Sequence, residues 1–305
     1  MQNRRDFIKK TALSSTFISV NGLSLCSFTK KKETKITILH TNDIHSQIEP
    51  LPKNHYKYPG LGGFERRATA IEEIRRKNPN TLLFDAGDIF QGTPYFNYFG
   101  GELEFKLMSL LKYDAATLGN HDFDNGLDGL NKQLPNAKFS FLSANYNFKN
   151  TILDGQIKPY KIFIKQGIKV GVFGLGIKLN GLVNKTLYSE TKYINPIEIA
   201  KDTENHLKEK EKCDLIICLS HLGYYYKNNP TKICDIELAQ KTKYIDLIIG
   251  GHTHTLLQNA KLITNSIGKT VMINQCGKSG VYMGRIDFYF SGITKYSKSY
   301  KSLII

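Results

Sequence analysis

The chain has 305 residues, 42 Lys and Arg against 27 Asp and Glu, a formal charge of +15 and 41% hydrophobic residues. These values describe a folded globular protein and exclude both a disordered chain and a polytopic membrane protein. Only 7 of the 42 basic residues are Arg, whereas dedicated nucleic-acid readers rely on Arg forks for phosphates and base edges, so stable nucleic-acid binding is not expected.

At the N-terminus, Arg4-Arg5 precedes a mildly apolar stretch over residues 11–28, closed by Lys30-Lys31-Lys32. This order resembles a twin-arginine (Tat) export signal over residues 1–33, and implies passage through the Tat translocon to a periplasmic or extracellular location. Ser, Thr, Asn and Gly make the stretch a poor permanent anchor. Cys26 follows Leu23-Ser24-Leu25, but Leu25 fits badly just before a lipoprotein cut, so lipid anchoring at Cys26 is not the expectation. Without residues 1–33 the chain keeps 35 basic and 25 acidic residues, a charge near +10. The other cysteines, Cys213, Cys218, Cys234 and Cys276, form no Cys-x-x-Cys pair, which argues against a zinc knuckle or a thioredoxin-type motif.

Beyond the leader, strand and helix patterns alternate. Residues 36–41 predict a strand, 65–77 a helix ending before Asn78-Pro79, 81–84 a strand, 103–111 a helix and 115–118 a strand. Residues 169–173, 214–219 and 245–249 are short apolar runs suited to a sheet covered on both faces, with a helix over 196–212 between the first two. Residues 270–274 and 285–290 predict antiparallel strands. With no repeat, linker or composition shift, residues 34–305 are expected to form one α/β domain.

Nearly every strand-like run ends in metal-ligand side chains: Asn42-Asp43-Ile44-His45, Asp85-Ala86-Gly87-Asp88, Gly119-Asn120-His121-Asp122, Ser220-His221 and Gly250-Gly251-His252-Thr253-His254. Sheets of this kind collect functional groups at the carboxyl ends of their strands. Five of the eight histidines fall at these points. Asp43 and His45 are two residues apart, as are His252 and His254, so each pair can point one way from an extended segment. Carboxylate, amide and imidazole without thiolate suit Mn, Zn or Fe.

The ordered set D-x-H, G-D, G-N-H-D, H and G-H-x-H resembles the calcineurin-like metallophosphoesterases, and more closely their 5′-nucleotidase branch. FDAGDIFQG from Phe84, LGNHDFDNG from Leu118 and GGHTHT from Gly250 sharpen the match, which covers nearly all of residues 35–290. The resemblance implies a four-layer α-β-β-α sandwich of mixed sheets and two divalent metal ions. Asp43, His45, Asp88 and His254 would hold one, and Asp88, Asn120, His221 and His252 the other, with Asp88 bridging. Two cations about 3.5–4 Å apart can activate a bridging water and clamp both oxygens of an in-line displacement. His121, oriented by Asp124, would lie beside the phosphoryl group as acid and charge stabiliser.

The function so implied is an exported phosphomonoester hydrolase acting on nucleoside 5′-monophosphates. In bacterial members of this branch a C-terminal domain supplies base clamp and phosphate-binding arginines. That domain is expected to be absent here; either a separate polypeptide supplies it or the chain acts on simpler or different esters. Cleavage of 2′,3′-cyclic nucleotides or nucleotide-sugar pyrophosphates is the alternative chemistry. A non-catalytic binding subunit would be marked by a lost ligand, and all seven are present. Other conspicuous residues take plainer roles: His40 as a packed histidine, Asp85 and Asp122 as turn or supporting carboxylates, and Asn145 as a turn amide. Tyr224-Tyr225-Tyr226 fits loop packing better than a base-stacking rim, and His55 and His206 receive no function.

Overall fold

Runs rich in Ile, Leu and Val alternate with amphipathic helices, and the chain resolves this pattern by stacking two sheets and covering each with helices. The computed structural model describes residues 33–305 except Pro230 and Ile293. The expected leader, with Arg4, Arg5 and Cys26, lies outside the described residues.

The strands in chain order are β1 (Thr34–Thr41), β2 (Thr81–Asp85), β3 (Ala115–Thr117), β4 (Ser140–Leu142), β5 (Tyr146–Asn147), β6 (Tyr160–Lys165) and β7 (Ile168–Gly176). They continue with β8 (Lys192–Tyr193), β9 (Leu215–His221), β10 (Leu247–Gly250), β11 (Lys261–Thr264), β12 (Thr270–Asn274), β13 (Tyr282–Ser291) and β14 (Thr294–Ile304). One six-stranded sheet has the order β14-β13-β1-β2-β3-β4 and the other β11-β12-β10-β9-β7-β6, while β5 and β8 form a short ribbon. In the first sheet β1 to β4 run parallel and β13 is antiparallel to β1. In the second, β7, β9, β10 and β12 run parallel between antiparallel edges.

The sheets face each other across a core that includes Ile38, Leu82, Phe84, Val172, Ile217 and Ile249. Each such fully buried side chain contributes about 1.5–3 kcal/mol. Helices Phe64–Lys77 and Glu102–Leu110 close the outer face of the first sheet through Ile71, Phe105 and Met108. Helices Pro196–Asn205 and Asp235–Lys241 close the second through Ile197, Ala200, Leu238 and Ala239. The four-layer α-β-β-α sandwich expected from the motifs is therefore the fold.

Helix Pro196–Asn205 starts where Asn195 accepts the Ile197 N–H at 2.9 Å and Pro196 occupies the first turn, where its missing N–H costs nothing. The helix expected to reach residue 212 changes to a π-helical turn over His206–Lys210. The runs at 270–274 and 285–290 do not pair with each other: β12 lies parallel to β10, and β13 lies in the opposite sheet beside β1. Their alternation marks each as a strand but carries no information on the sheet it joins. Cys213, Cys218, Cys234 and Cys276 are free and buried, in keeping with core packing.

Candidate metal centre

The parallel strands β1, β2, β3, β9 and β10 all end at one rim, and their last residues and the loops leaving them carry every ligand-type residue singled out above. Asp43, His45, Asp88, His252 and His254 have φ of 49°, 50°, 56°, 70° and 51°, in the left-handed region. Asp and His tolerate it better than most residues, yet each instance costs about 1–3 kcal/mol and persists only where its surroundings impose it. Here they do. The Asp43 N–H donates to Gly87 O at 2.9 Å, and that of His45 to Asp88 O at 3.0 Å, lacing the first two loops together. The His252 N–H donates to both Asp43 carboxylate oxygens, at 3.0 and 3.1 Å, tying in the last loop from the other sheet.

Two groups of ligand atoms result: Asp43, His45 and His254, and Asp88, His221 and His252. In the first, Nε2 of His45 and Nε2 of His254 are 3.0 Å apart, and Asp43 Oδ1 lies 3.4 Å from His254 Nε2. In the second, His221 Nε2 lies 3.0 Å from Asp88 Oδ2. Asn120 joins the second group, its Oδ1 lying 2.9 Å from His252 Nδ1. Asp88 stands between the groups, with Oδ2 also 3.9 Å from His45 Nε2.

His221 tests whether cations fit. It is fully buried, and its Nδ1 donates to Ala86 O at 2.7 Å, which leaves Nε2 facing the Asp88 carboxylate. Although close to Asp88, Nε2 lacks hydrogen-bonding geometry to it or to any other described group. A lone pair aimed at a carboxylate is unfavourable unless positive charge lies between them. Burial opposes charge on His221, but the Asp88 charge outweighs it and lifts the imidazole to about 10. Burial likewise pushes Asp88 upward, and His221 with His45 and His121 overrides it and draws the carboxyl below the usual range. The site is built for positive charge. A divalent cation would supply it, and nitrogen and oxygen donors without thiolate suit Zn, Mn or Fe.

Asp122 supports these loops from beneath. It is buried and accepts the N–H groups of Asp88 and Gly119 on Oδ2 at 3.0 and 2.7 Å, and those of Ile89 and Phe90 on Oδ1 at 2.9 and 3.2 Å. Asp85 accepts from Thr41 Oγ1 at 2.6 Å and from Gly87 N at 2.9 Å, joining the ends of β1 and β2. Burial pushes Asp85 up to about 8.

His121 sits at the mouth, partly exposed. Its N–H donates to Asp88 Oδ1 at 2.8 Å, and Nδ1 lies 2.8 Å from Asp124 Oδ2. The hydrogen bond to Asp124 raises its pKa against the opposing effect of burial. The ring stands edge-on to His45, with centroids 5.3 Å apart.

The structure thus gathers all nine residues expected at the site and buries His40 in the core; Asn145, expected as a turn amide, instead bonds both the N–H and the carbonyl of Gly176 at the end of β7, and His206 pairs with Tyr160 at the surface. Tyr226 is the member of the tyrosine run that approaches the site, its ring centroid 6.4 Å from that of His252, while Tyr225 is exposed. Two supporting residues were not foreseen. Asn42 donates Nδ2 to Asp43 Oδ2 at 2.6 Å and to Gly277 O at 2.8 Å, and only its place beside Asp43 hinted at this. Gln275 carries no motif at all.

A sandwich whose strand ends converge on two adjoining sets of carboxylates, imidazoles and an amide defines a metallophosphoesterase. Residues 36–256 match the family model described as calcineurin-like phosphoesterase, and the chain belongs to that family. It is 36% identical over 293 residues to snake venom 5′-nucleotidase of Naja atra, covering 87% of this chain and 52% of the relative. Among solved structures, the 5′-nucleotidase precursor of Thermus thermophilus superposes with a TM-score of 0.80 at 29% identity, covering 89% of this chain and 54% of that one. The NAD nucleotidase of Haemophilus influenzae gives a TM-score of 0.76 at 30% identity, with 90% and 51% covered. The chain spans about half the length of these relatives.

Proposed function

We propose that this chain carries the hydrolytic centre of a metal-dependent phosphomonoesterase of the 5′-nucleotidase type, with nucleoside 5′-monophosphates as substrates. The observation that carries the reading is the pair of adjoining ligand groups with His121 and Asp124 at their mouth. Asp43, His45, His254 and Asp88 would hold one divalent cation, and Asp88, Asn120, His221 and His252 the other. When bound, such a pair supplies Lewis-acid polarisation of the phosphate and a nucleophile at neutral pH.

The protein's own residues do the rest. Asp124 fixes Nδ1 of His121, so Nε2 is the atom that can face the ester and pass a proton to the leaving alkoxide. The charge near +10 on residues 34–305 favours approach of an anionic ester without selecting one. Whether a separate polypeptide confers base selection or the chain acts on simpler or different esters is read from the substrate panel below.

Purified chain with Mn²⁺ or Zn²⁺ is to be offered p-nitrophenyl phosphate, its bis ester, AMP, cyclic AMP, UDP-glucose and NAD. Turnover is expected for p-nitrophenyl phosphate and AMP. No hydrolysis of any, with metals bound, overturns the reading. Cleavage of UDP-glucose or NAD in preference to AMP would establish the second reading, a nucleotide pyrophosphatase, which the likeness to NAD nucleotidase favours. Export through residues 1–33 is tested by Arg4→Lys with Arg5→Lys: precursor should stay in the cytoplasm, and unimpaired export refutes a twin-arginine signal.

A further inference from the structure

Gln275 lies just past β12, the strand paired in parallel with β10, and is fully buried. Its amide reaches back to the loop that leaves β10. Nε2 donates to Gly251 O at 2.5 Å, while Oε1 accepts from Thr253 Oγ1 at 3.0 Å and from the Thr255 N–H. One side chain therefore fixes the residues before, between and after His252 and His254. These two histidines belong to different ligand groups, and both carry left-handed backbone.

We infer that Gln275 is the positioning residue of the metal centre, a single buried amide that holds the segment giving one histidine to each ligand group. The inference rests on the reading of those groups as metal ligands. Three contacts converge on the loop from Gly251 to Thr255, and nothing smaller than a bifunctional amide satisfies a carbonyl, an N–H and a hydroxyl at once. The left-handed conformations of His252 and His254 need such over-determination, because left alone each relaxes toward ordinary φ and turns its imidazole away. The Thr253 hydroxyl extends the clamp by accepting the Tyr224 N–H at 3.0 Å, which couples the loop after His221 to the same amide. The segment that follows His221 and the loop that gives His252 to the second ligand group and His254 to the first thus meet at one residue outside every recognised motif.

The test uses full chain stripped of metal, with Gln275→Met, which loses all three contacts, and Gln275→Glu, which keeps the acceptor but sets a carboxylate oxygen against Gly251 O. Co²⁺ is titrated without substrate and followed by visible absorption and calorimetry, with thermal unfolding of the metal-free proteins as the fold control. Supporting outcomes follow the usual weight of groups that orient metal ligands: affinity for both Co²⁺ ions falls about 10–100-fold in each folded variant, with an altered absorption spectrum and metal-free melting close to the parent's. Two Co²⁺ bound with parental affinity by either folded variant overturns the inference, as does weakening of one ion alone. If Gln275→Met fails to fold, Gln275→Glu decides, and loss of fold in both assigns Gln275 to the core and overturns the inference. A parent chain that binds two Co²⁺ yet hydrolyses no ester defeats the proposed function and leaves this inference standing.

Discussion

Asp122 holds Asp88 by its backbone: Oδ2 of Asp122 accepts the Asp88 N–H at 3.0 Å, and its two oxygens together take four N–H groups. The bond joins the loop after β2 to the loop after β3 and aims the carboxylate that stands between the ligand groups. Asp122→Ala strands those four buried donors. At about 1 kcal/mol or more for each, less the relief of desolvating one carboxylate, the loss is about 3 kcal/mol. Urea unfolding of metal-free protein checks this. A loss under about 1 kcal/mol would mean that water replaces the carboxylate and that the loops hold without it.

Much of this site was legible because its chemistry needs residue types that are conspicuous at strand ends. Asp43, His45, Asp88, Asn120, His221, His252 and His254 could be picked out from that placement. Gln275 could not, since a buried amide that bonds to backbone has no periodicity and no fixed spacing from the loop it supports, and Asn42 was visible only as the neighbour of Asp43. The fold divides in the same way. Strands β1, β2, β3, β9 and β10 were visible as apolar runs, whereas the two-residue β5 and β8 are too short to impose a pattern and the edge strands β4, β6, β11 and β14 lack a continuous apolar run. The separation of β12 and β13 into different sheets turns on β13 finding β1, at the opposite end of the described chain, as where Phe288 lies beside Ile36. Local alternation does not encode a partner that distant.

His121→Asn should keep both metals and lose turnover. The residue touches no ligand with its side chain except edge-on at His45, and its backbone N–H to Asp88 survives substitution. Removing a positioned proton donor costs about 10²–10⁴ in rate. Asp124→Asn, which leaves the imidazole in place but removes its charged partner, should cost less. Metal analysis beside kcat on p-nitrophenyl phosphate separates the cases, and retained turnover in His121→Asn removes that side chain from the reaction.

Gly119→Ala should damage the centre without touching a ligand's identity. A Cβ there would lie 2.2 Å from Asp88 Oδ1 and 2.5 Å from Asp88 N, and the second atom is backbone that cannot swing aside. The loop after β2 must move, at a cost of about 1–3 kcal/mol in overpacking, and Asp88 moves with it. Metal affinity is expected to fall with turnover, in contrast to His121→Asn. Unchanged metal binding would mean that the two loops can separate while the centre persists.

His40 predicts an acid sensitivity that belongs to the fold. Burial beneath Gly284, with the Cys276 sulfur 3.7 Å from Nδ1, lowers its pKa from 6.5 to about 3. The unfolded chain therefore takes up a proton near pH 6.5 that the folded chain refuses until about pH 3. Stability from this residue is complete above pH 6.5 and is lost as the pH falls toward 3. Between about pH 7.5 and pH 5 the loss is about 2 kcal/mol. His40→Leu removes the titration while keeping an apolar side chain against Gly284, so metal-free His40→Leu should lose about 2 kcal/mol less than the parent over that interval in urea unfolding. Equal losses in the two proteins would show that His40 gains a proton without unfolding, and that its pocket opens to water before the sandwich does.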